Sequence, residues 1–404
     1  MTRVAVGVDV SKDKSMISIV EQSLEIRAKP YCICHTEREL NSLVEILNSM
    51  GGELRVIVES TGHYHEPIVK VLHEAGLFVS VVNPYLIKDF GNNTLRRIKT
   101  DKADAVRIAR YGIHYWHELR QYFPADNTRI RLKSFSRELF FYIDKKVAQQ
   151  NHLITLLDRT FPGANKLFHA RLKANGRVKW VDFAQAFWHC NLIKQMTLDG
   201  FTEAYQVWCR NNDYIFTPKK VTEVYNKSLE LIATMPQDEY AQTLVTTATR
   251  QLTTITKEIE ALRSEMCSLA QVLPEFPAVT SLFGINKSNG AQLMAEIGDV
   301  RNFKNGKALV AYAGIDPGRI QSGTYNLHSV AITKNGSAYL RRALTYAIDI
   351  YILHKPVDEP VYAFYAKKHT EGKHFFVCKT AAINKFLRIY YARVKEYLDG
   401  VEGA

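Results

Sequence analysis

The stretch Val4-Ala5-Val6-Gly7-Val8-Asp9-Val10 decides how the rest of the chain is read. Its alternating β-branched residues predict a buried strand. An aspartate inside such a strand is costly unless it is paired or binds a metal ion. Next along the chain, Ser11-Lys12-Asp13-Lys14 suits a hairpin turn into a second run at 15–20, and a third extended run covers about 26–34. Leu40, Leu43, Val44 and Leu47 then recur at helical spacing. Val56-Ile57-Val58 predicts another buried strand. Residues 64–75 read as a helix with Ile68, Val69 and Leu72 inward, and 77–82 as a strand stopped by Asn83-Pro84. A hairpin meander followed by β-α units predicts an α/β domain, a mixed sheet covered by helices.

Three more acids fall around that sheet. Glu59 follows Val56-Ile57-Val58, at the carboxyl end of a strand, where open α/β sheets place their sites. Asp101 and Asp104 open a helix whose apolar face is expected at Ala103, Val106 and Ile113, and their spacing puts both carboxylates on one side. Asp9, Glu59, Asp101 and Asp104 together could hold two divalent ions for work on a phosphodiester, and oxygen-only ligands suit Mg²⁺ or Mn²⁺. The plain alternative for the pair is that Thr100 or Asp101 caps the helix while Asp104 answers its dipole. Capping does not account for Asp9. His63 and His65 read as loop surface rather than as ligands.

The bulk numbers agree with a nucleic-acid enzyme. The 404 residues allow two or three domains, and 46% hydrophobic residues argue against disorder. Lys and Arg outnumber Asp and Glu by 53 to 41, a net charge of +12, so a polyanion is the first partner to expect. No apolar run reaches a membrane span, and the N-terminus lacks the pattern of a signal peptide. The six cysteines are scattered, and Cys32 and Cys34 are too close for the usual zinc spacing. Reduced thiols in a cytoplasmic protein are expected.

Residues 84–133 are rich in Lys and Arg, including Arg96, Arg97, Lys99, Lys102, Arg107 and Arg110. The segment 163–217 carries three of the four tryptophans but little periodicity. From 219 to 272 apolar residues recur at near-heptad spacing, which fits a coiled-coil arm and equally an amphipathic bundle helix. Leu273-Pro274 and Phe276-Pro277 mark a boundary. The expected domains are 1–125, a helical linker at 126–272 with an insert near 163–217, and a mainly α domain at 273–404. In the last, 276–298 reads as a helix, a glycine turn and a second helix starting near Ser288. Backbone N–H groups there, beside Lys287, could hold a DNA phosphate. Tyr312 to Thr324 is a Gly/Pro-punctuated loop holding Ser322, ordinarily a turn serine bonded to its own backbone. Lys334, Arg341 and Arg342 downstream suit phosphate contacts.

Taken jointly, these motifs resemble a known family. Asp9-Val10-Ser11-Lys12, Val58-Glu59-Ser60-Thr61-Gly62 and Thr100-Asp101-Lys102-Ala103-Asp104-Ala105 resemble the N-terminal signature of DEDD-type insertion-sequence transposases. These are bridge-RNA-guided serine recombinases related to the Piv DNA invertases. Leu282 through Ala313-Gly314-Ile315, Gln321-Ser322-Gly323 and Ile332-Thr333-Lys334-Asn335-Gly336 to Leu340-Arg341 resemble the family's second domain. The resemblance covers roughly 1–160 and 270–350. It implies a RuvC-like ribonuclease-H fold at the N-terminus, with Asp9, Glu59, Asp101 and Asp104 binding Mg²⁺. It also implies a catalytic serine at Ser322; Ser329 and Ser337 are nearby fallbacks, and the pattern at 276–298 is itself the expected helix-hairpin-helix-like element of the C-terminal domain. Lys12, Arg96, Arg97, Lys102, Lys287, Arg319, Lys334, Arg341 and Arg342 are the expected nucleic-acid contacts. The implied partners are DNA at element ends and target, a structured noncoding guide RNA, and further copies of the chain in a homodimer or homotetramer with composite sites. The implied setting is the bacterial cytoplasm, at the nucleoid. A metal-dependent, junction-resolving nuclease using water as nucleophile is the competing expectation.

Overall fold

A computed structural model of the chain describes residues 2–60, 62–91, 100–124, 126–168, 176–316, 321–322, 325–326 and 331–402. It divides into two compact units, Met1–Ala125 and Asp126–Ala404.

The first unit is built on a mixed sheet. β1 (Arg3–Val10), β2 (Lys14–Glu21) and β3 (Ile26–Cys34) form the antiparallel meander. After α1 (Glu37–Ser49), β4 (Glu53–Glu59) pairs parallel to β1. After α2 (Glu66–Glu74), β5 (Phe78–Val82) pairs parallel to β4. The strand order is β3-β2-β1-β4-β5. Successive side chains of a strand point to opposite faces. Val4, Val6, Val8 and Val10 therefore share one face with Val56 and Val58, sealed by Leu40, Leu43 and Leu47 of α1 and Ile68, Val69 and Leu72 of α2. Ala5 and Ile57 lie on the other face, under α3 (Pro84–Gly91) and α4 (Asp101–His114), with Ile87, Ile108, Tyr111 and Trp116. β1 is covered on both sides, which is why it reads as a nearly continuous apolar run.

α4 does not use the apolar face expected of it. Ala103, Val106 and Ile113 are only half-buried, whereas Ala105, Ile108, Ala109 and Gly112 are buried. The reason is close approach. A Cβ at Gly7 would overlap the Ala105 carbonyl oxygen and the Ala109 amide, and one at Gly112 would overlap the Ile57 side chain. Small residues on both sides let the helix lie directly on β1, so size rather than hydrophobicity marks the inner face.

The second unit is helical apart from one two-stranded ladder among its described residues. α5 (Asn127–Thr160) is followed by α6 (Lys179–Ala186), α7 (Cys190–Lys194), α8 (Leu198–Asn211), α9 (Pro218–Glu230) and α10 (Glu239–Gln271). α5 and α10 pack antiparallel. Leu132 and Leu139 share a core with Ile259 and Met266, whereas Leu153 and Leu157 share one with Val245, Ala248 and Leu252. Gln149 Nε2 donates to the Ala248 carbonyl at 3.2 Å. The near-heptad stripe of α10 is thus covered within the chain. The 163–217 segment belongs to an aromatic core of Trp180, Phe183, Phe187, Phe201, Tyr205 and Trp208. α6 buries five successive positions, Trp180 to Ala184, which erases a one-sided pattern, whereas α8 keeps one in Phe201, Tyr205, Trp208 and Cys209.

At the other end of the pair lie α11 (Phe276–Thr280), α12 (Lys287–Ile297), α13 (Gly306–Ala313), α14 (Ala338–His354), α15 (Pro360–Thr370) and α16 (Phe375–Glu402). β6 (Gln321–Ser322) and β7 (Tyr325–Asn326) form the small ladder between α13 and α14. The helix, turn and second helix expected at 276–298 are present, with Gly284 at φ +71° and α12 starting at Lys287. No helix of the described residues is long and apolar enough to cross a membrane.

Candidate active site

Register brings the first two acids together. Val8 of β1 pairs with Val58 of β4, so the next residues, Asp9 and Glu59, sit side by side where the strands end. By alternation both belong to the face of Ala5 and Ile57, the face that α4 covers. The contact of Ala105 and Ala109 with Gly7 brings the first turn of α4, with Asp101 and Asp104, to the same end of the sheet.

The electrostatics carry the mark of that convergence. Asp9 is half-buried and its carboxyl is raised from 3.8 to about 6, chiefly by burial and then by the charges of Asp104 and Asp101. Glu59 is raised by burial, then by Asp9 and Asp104, with Arg107 opposing the shift. Both capping and clustering hold for the other two acids. Thr100 is the cap, its Oγ1 accepting from the Ala103 amide at 3.2 Å, and Asp101 and Asp104 lie in the first turn. Asp101 is exposed, and Asp104 accepts from Arg107 Nη1 at 2.8 Å.

Among the described residues, no three His, Cys, Asp or Glu side chains close into a finished metal cage. The donor set nevertheless fits a hard divalent cation. Asp9 and Glu59 are disfavoured as anions by burial and then by the acids beside them, Arg107 answers only part of that charge, and all four donors are carboxylate oxygens. His63 and His65 lie in the turn before α2 and join no such group.

The expected basic contacts divide into three sets. Lys12, Lys102, Lys287 and Lys334 are exposed. Lys287 opens α12, whose cap Asn286 accepts from the Asn289 amide at 2.8 Å. Arg96, Arg97 and Arg319 lie outside the described residues. Arg341 and Arg342 are engaged within the protein. Arg341 Nη1 donates to the carbonyls of Gly336 at 2.9 Å and Ala313 at 3.1 Å, tying the two sides of the loop together. Arg342 pairs with Asp144 at 2.8 Å and lies over the Phe140 ring.

Ser322 ends β6, where it pairs with Tyr325 of β7. The base of its loop is fastened by the Thr333 amide to the Asp316 carbonyl at 3.1 Å and the Lys334 amide to that of Gly314 at 3.0 Å. Ser329 lies outside the described residues. Ser337, the other fallback nucleophile, is occupied: it caps α14 and its hydroxyl donates to Glu296 at 3.1 Å.

Two residues here escaped the sequence reading as parts of a site. Arg107 is the cation of the acidic cluster, and its three-residue spacing from Asp104 was the available signal. Glu296 is a carboxylate only 1% exposed within α12. It accepts from Ser136 and Ser337, and its backbone carbonyl accepts from the Tyr312 hydroxyl at 3.3 Å. It therefore joins both arms of the Ser322 loop to α12 and α5. An acid inside Leu293-Met294-Ala295-Glu296-Ile297 is the same kind of signal as Asp9.

Known proteins align with both regions. Residues 6–162 match the DEDD transposase model of the IS110 type, described as a transposase. Residues 277–363 match the model described as transposase of the IS116/IS110/IS902 family. An uncharacterized 43.6 kDa protein of insertion element IS110 from Streptomyces coelicolor is 21% identical over 77% of this chain and 75% of its own length. Pilin gene-inverting proteins from Moraxella lacunata and Moraxella bovis are 23% and 24% identical over 85% of this chain and 80% of theirs. A solved structure of Thermus thermophilus RuvC with a Holliday junction substrate covers 30% of this chain and 99% of its own, with 18% identity and a TM-score of 0.24.

Proposed function

This chain carries the transposase domains of the IS110 family, and from that premise we propose that it cuts and rejoins DNA through a covalent serine intermediate. The observation that carries the reading is the convergence of the four acids at aligned strand ends, where burial, and then the charges of Asp104 and Asp101, raise the carboxyl of Asp9 from 3.8 to about 6. Asp9, Glu59, Asp101 and Asp104 would hold Mg²⁺ or Mn²⁺. The bound ion would supply charge neutralisation and polarisation of the scissile phosphate.

The residues of the chain do the rest. The Ser322 hydroxyl attacks phosphorus, the bond from phosphorus to the 3′ oxygen breaks, and the serine proton ends on that oxygen. The products are a 5′-phosphoserine ester and a free 3′ hydroxyl. One phosphoester replaces another, so strand exchange and rejoining need no nucleotide cofactor. Exposed Lys12, Lys102, Lys287 and Lys334 are the contacts we assign to phosphate backbone. Guidance by a structured RNA and action as a dimer or tetramer belong to the same proposal. The RNA reading is supported by the family motifs and by the net charge of +12, and the oligomer by the family motifs.

Covalent trapping tests it. Purified protein, Mg²⁺, DNA spanning an element end and RNA transcribed from the flanks of the element are incubated, denatured and mapped by mass spectrometry. The expected adduct lies on Ser322 and disappears in Ser322→Ala and in Asp9→Ala. Cut DNA without adduct, persisting in Ser322→Ala, would instead make water the nucleophile and the acids a self-sufficient nuclease.

A further inference from the structure

Beyond the C-terminal family match, which ends at residue 363, the turn from α15 into α16 carries a feature the acidic site does not use. Residues 371–377, Glu-Gly-Lys-His-Phe-Phe-Val, are all exposed. Phe375 is 42% and Phe376 66% exposed, although phenylalanine is ordinarily buried. Three consecutive rings stand together: Phe375 and Phe376 have centroids 5.3 Å apart, and His374 and Phe376 5.7 Å apart at an interplanar angle of 31°. The backbone fixes this display. Gly372 turns the chain at φ +73°, and the His374 carbonyl accepts from the amides of Val377 and Cys378 as α16 begins.

Cations surround the rings. Between 367 and 379 the sequence has four lysines and one glutamate. Lys368 binds Glu371 at 2.7 Å, and Lys379 binds Asp349 at 2.5 Å. Glu371 is pushed down first by its hydrogen bond to Lys368 and then by the charges of Lys368, Lys367 and Lys373, so the three lysines gather around one carboxylate. Positive charge is left over beside exposed rings. Two rings are far too small for a stable protein interface of about 1,600 Å². Positive charge interleaved with exposed aromatic rings is instead the pattern that binds unpaired nucleotides, with phosphates on the lysines and bases on the rings.

We propose that the α15–α16 turn is a binding site for single-stranded nucleic acid, with bases stacking on Phe376, Phe375 and His374 and phosphates running over Lys367 and Lys373. The proposal deepens the nucleic-acid reading above but does not depend on Ser322 or on the acids. A duplex buries its base faces, so this site selects unpaired segments.

The test is photocrosslinking of the full chain to short oligonucleotides bearing 5-iodouracil, as single-stranded DNA, single-stranded RNA and duplex, followed by peptide mapping and anisotropy titration. Single strands are expected to crosslink within 373–379 and the duplex to do so weakly. Phe375→Ala with Phe376→Ala is expected to weaken single-strand binding about tenfold or more. Lys367→Gln with Lys373→Gln is expected to flatten its salt dependence by about 0.7 in log–log slope per lysine. Equal crosslinking by RNA and DNA would mean recognition of unpaired bases alone, and preference for RNA would identify the natural ligand. Either supports the site. Absence of crosslinks in this segment, with unchanged affinity of the double Phe variant, would overturn it. So would loss of self-association in that variant, measured by light scattering, without loss of single-strand binding. The readouts are crosslink position and single-strand affinity, so they stand or fall separately from whether a covalent adduct ever forms on Ser322.

Discussion

Replacing Asp9 with Asn should stabilise the metal-free protein while abolishing its chemistry. The carboxyl of Asp9 is raised from 3.8 to about 6 by burial and by the neighbouring charges of Asp104 and Asp101. At about 1.36 kcal/mol per pH unit, the full shift corresponds to about 3 kcal/mol. Asp9 is only half-buried, so water screens part of this, and we expect about 1–2 kcal/mol. The sign follows from linkage. The folded state binds the proton more tightly than the unfolded chain, so the stability tied to it is complete below about pH 4 and lost as pH rises through about 6. Asn never ionises. The advantage of Asp9→Asn should therefore be negligible at pH 4, grow between pH 4 and 6, and level off above. Glu59 reinforces it, because Asp9 is one of the charges that raise it. The assay is urea or thermal unfolding of both proteins in EDTA from pH 4 to pH 8. A difference of this size shifts the melting temperature by a few degrees. Adding Mg²⁺ should then stabilise the unaltered protein and not Asp9→Asn, because a ligand stabilises only the state that binds it. Equal stability at pH 8, or a variant weaker at every pH, would refute the reasoning.

Gly7→Ala should destabilise the first unit by about 1–3 kcal/mol in urea titrations and blunt its Mg²⁺ response, because the added methyl displaces α4 and the acids it carries. Arg107→Gln should move the pH at which Mg²⁺ begins to stabilise the protein upward, since Arg107 is the cation that lowers Glu59; melts with and without Mg²⁺ from pH 5 to 8 would show it. Glu296→Ala should cost about 2–4 kcal/mol of stability, leaving Ser136, Ser337 and Arg137 without their acceptor, whereas Ser337→Ala should cost about 1 kcal/mol as a lost helix cap. If Glu296→Ala and Ser337→Ala fall equally in urea titrations, the buried carboxylate is not the joint of that loop.

The sheet was legible because period-two alternation and short turns are local signals. Val4 to Val10, the hairpin at Ser11 to Lys14 and the strand at Val56 to Val58 all fall where the sequence put them. The helix carrying Asp101 and Asp104 was legible too, but not its inner face. Ala103, Val106 and Ile113 are more hydrophobic as a set than Ala105, Ala109 and Gly112, yet the second set touches the sheet. What decides that is the space above Gly7, a tertiary fact with no local signature. Asp9 announced itself by being an acid in an apolar strand. Arg341 has a role the sequence did not announce: a basic residue near a glycine loop looks like a phosphate contact, and in the structure its guanidinium also bonds backbone carbonyls across that loop. In the aromatic segment after residue 163, α6 was opaque because five successive buried positions leave no period to read, whereas the stripe Phe201, Tyr205, Trp208 and Cys209 of α8 was a legible signal that the reading passed over.

Charge on this chain is divided between two tasks. A net charge of +12 favours the approach of a polyanion, and the screening length of about 8 Å at physiological salt leaves that attraction to exposed lysines. The acidic cluster works against it at short range. Asp9 and Glu59 each carry the repulsion of neighbouring acids, relieved in part by Arg107. A phosphodiester brought there meets like charge unless a cation intervenes. In the function proposed above, exposed lysines hold the nucleic acid, and the carboxylates gain their use only once a cation answers their charge.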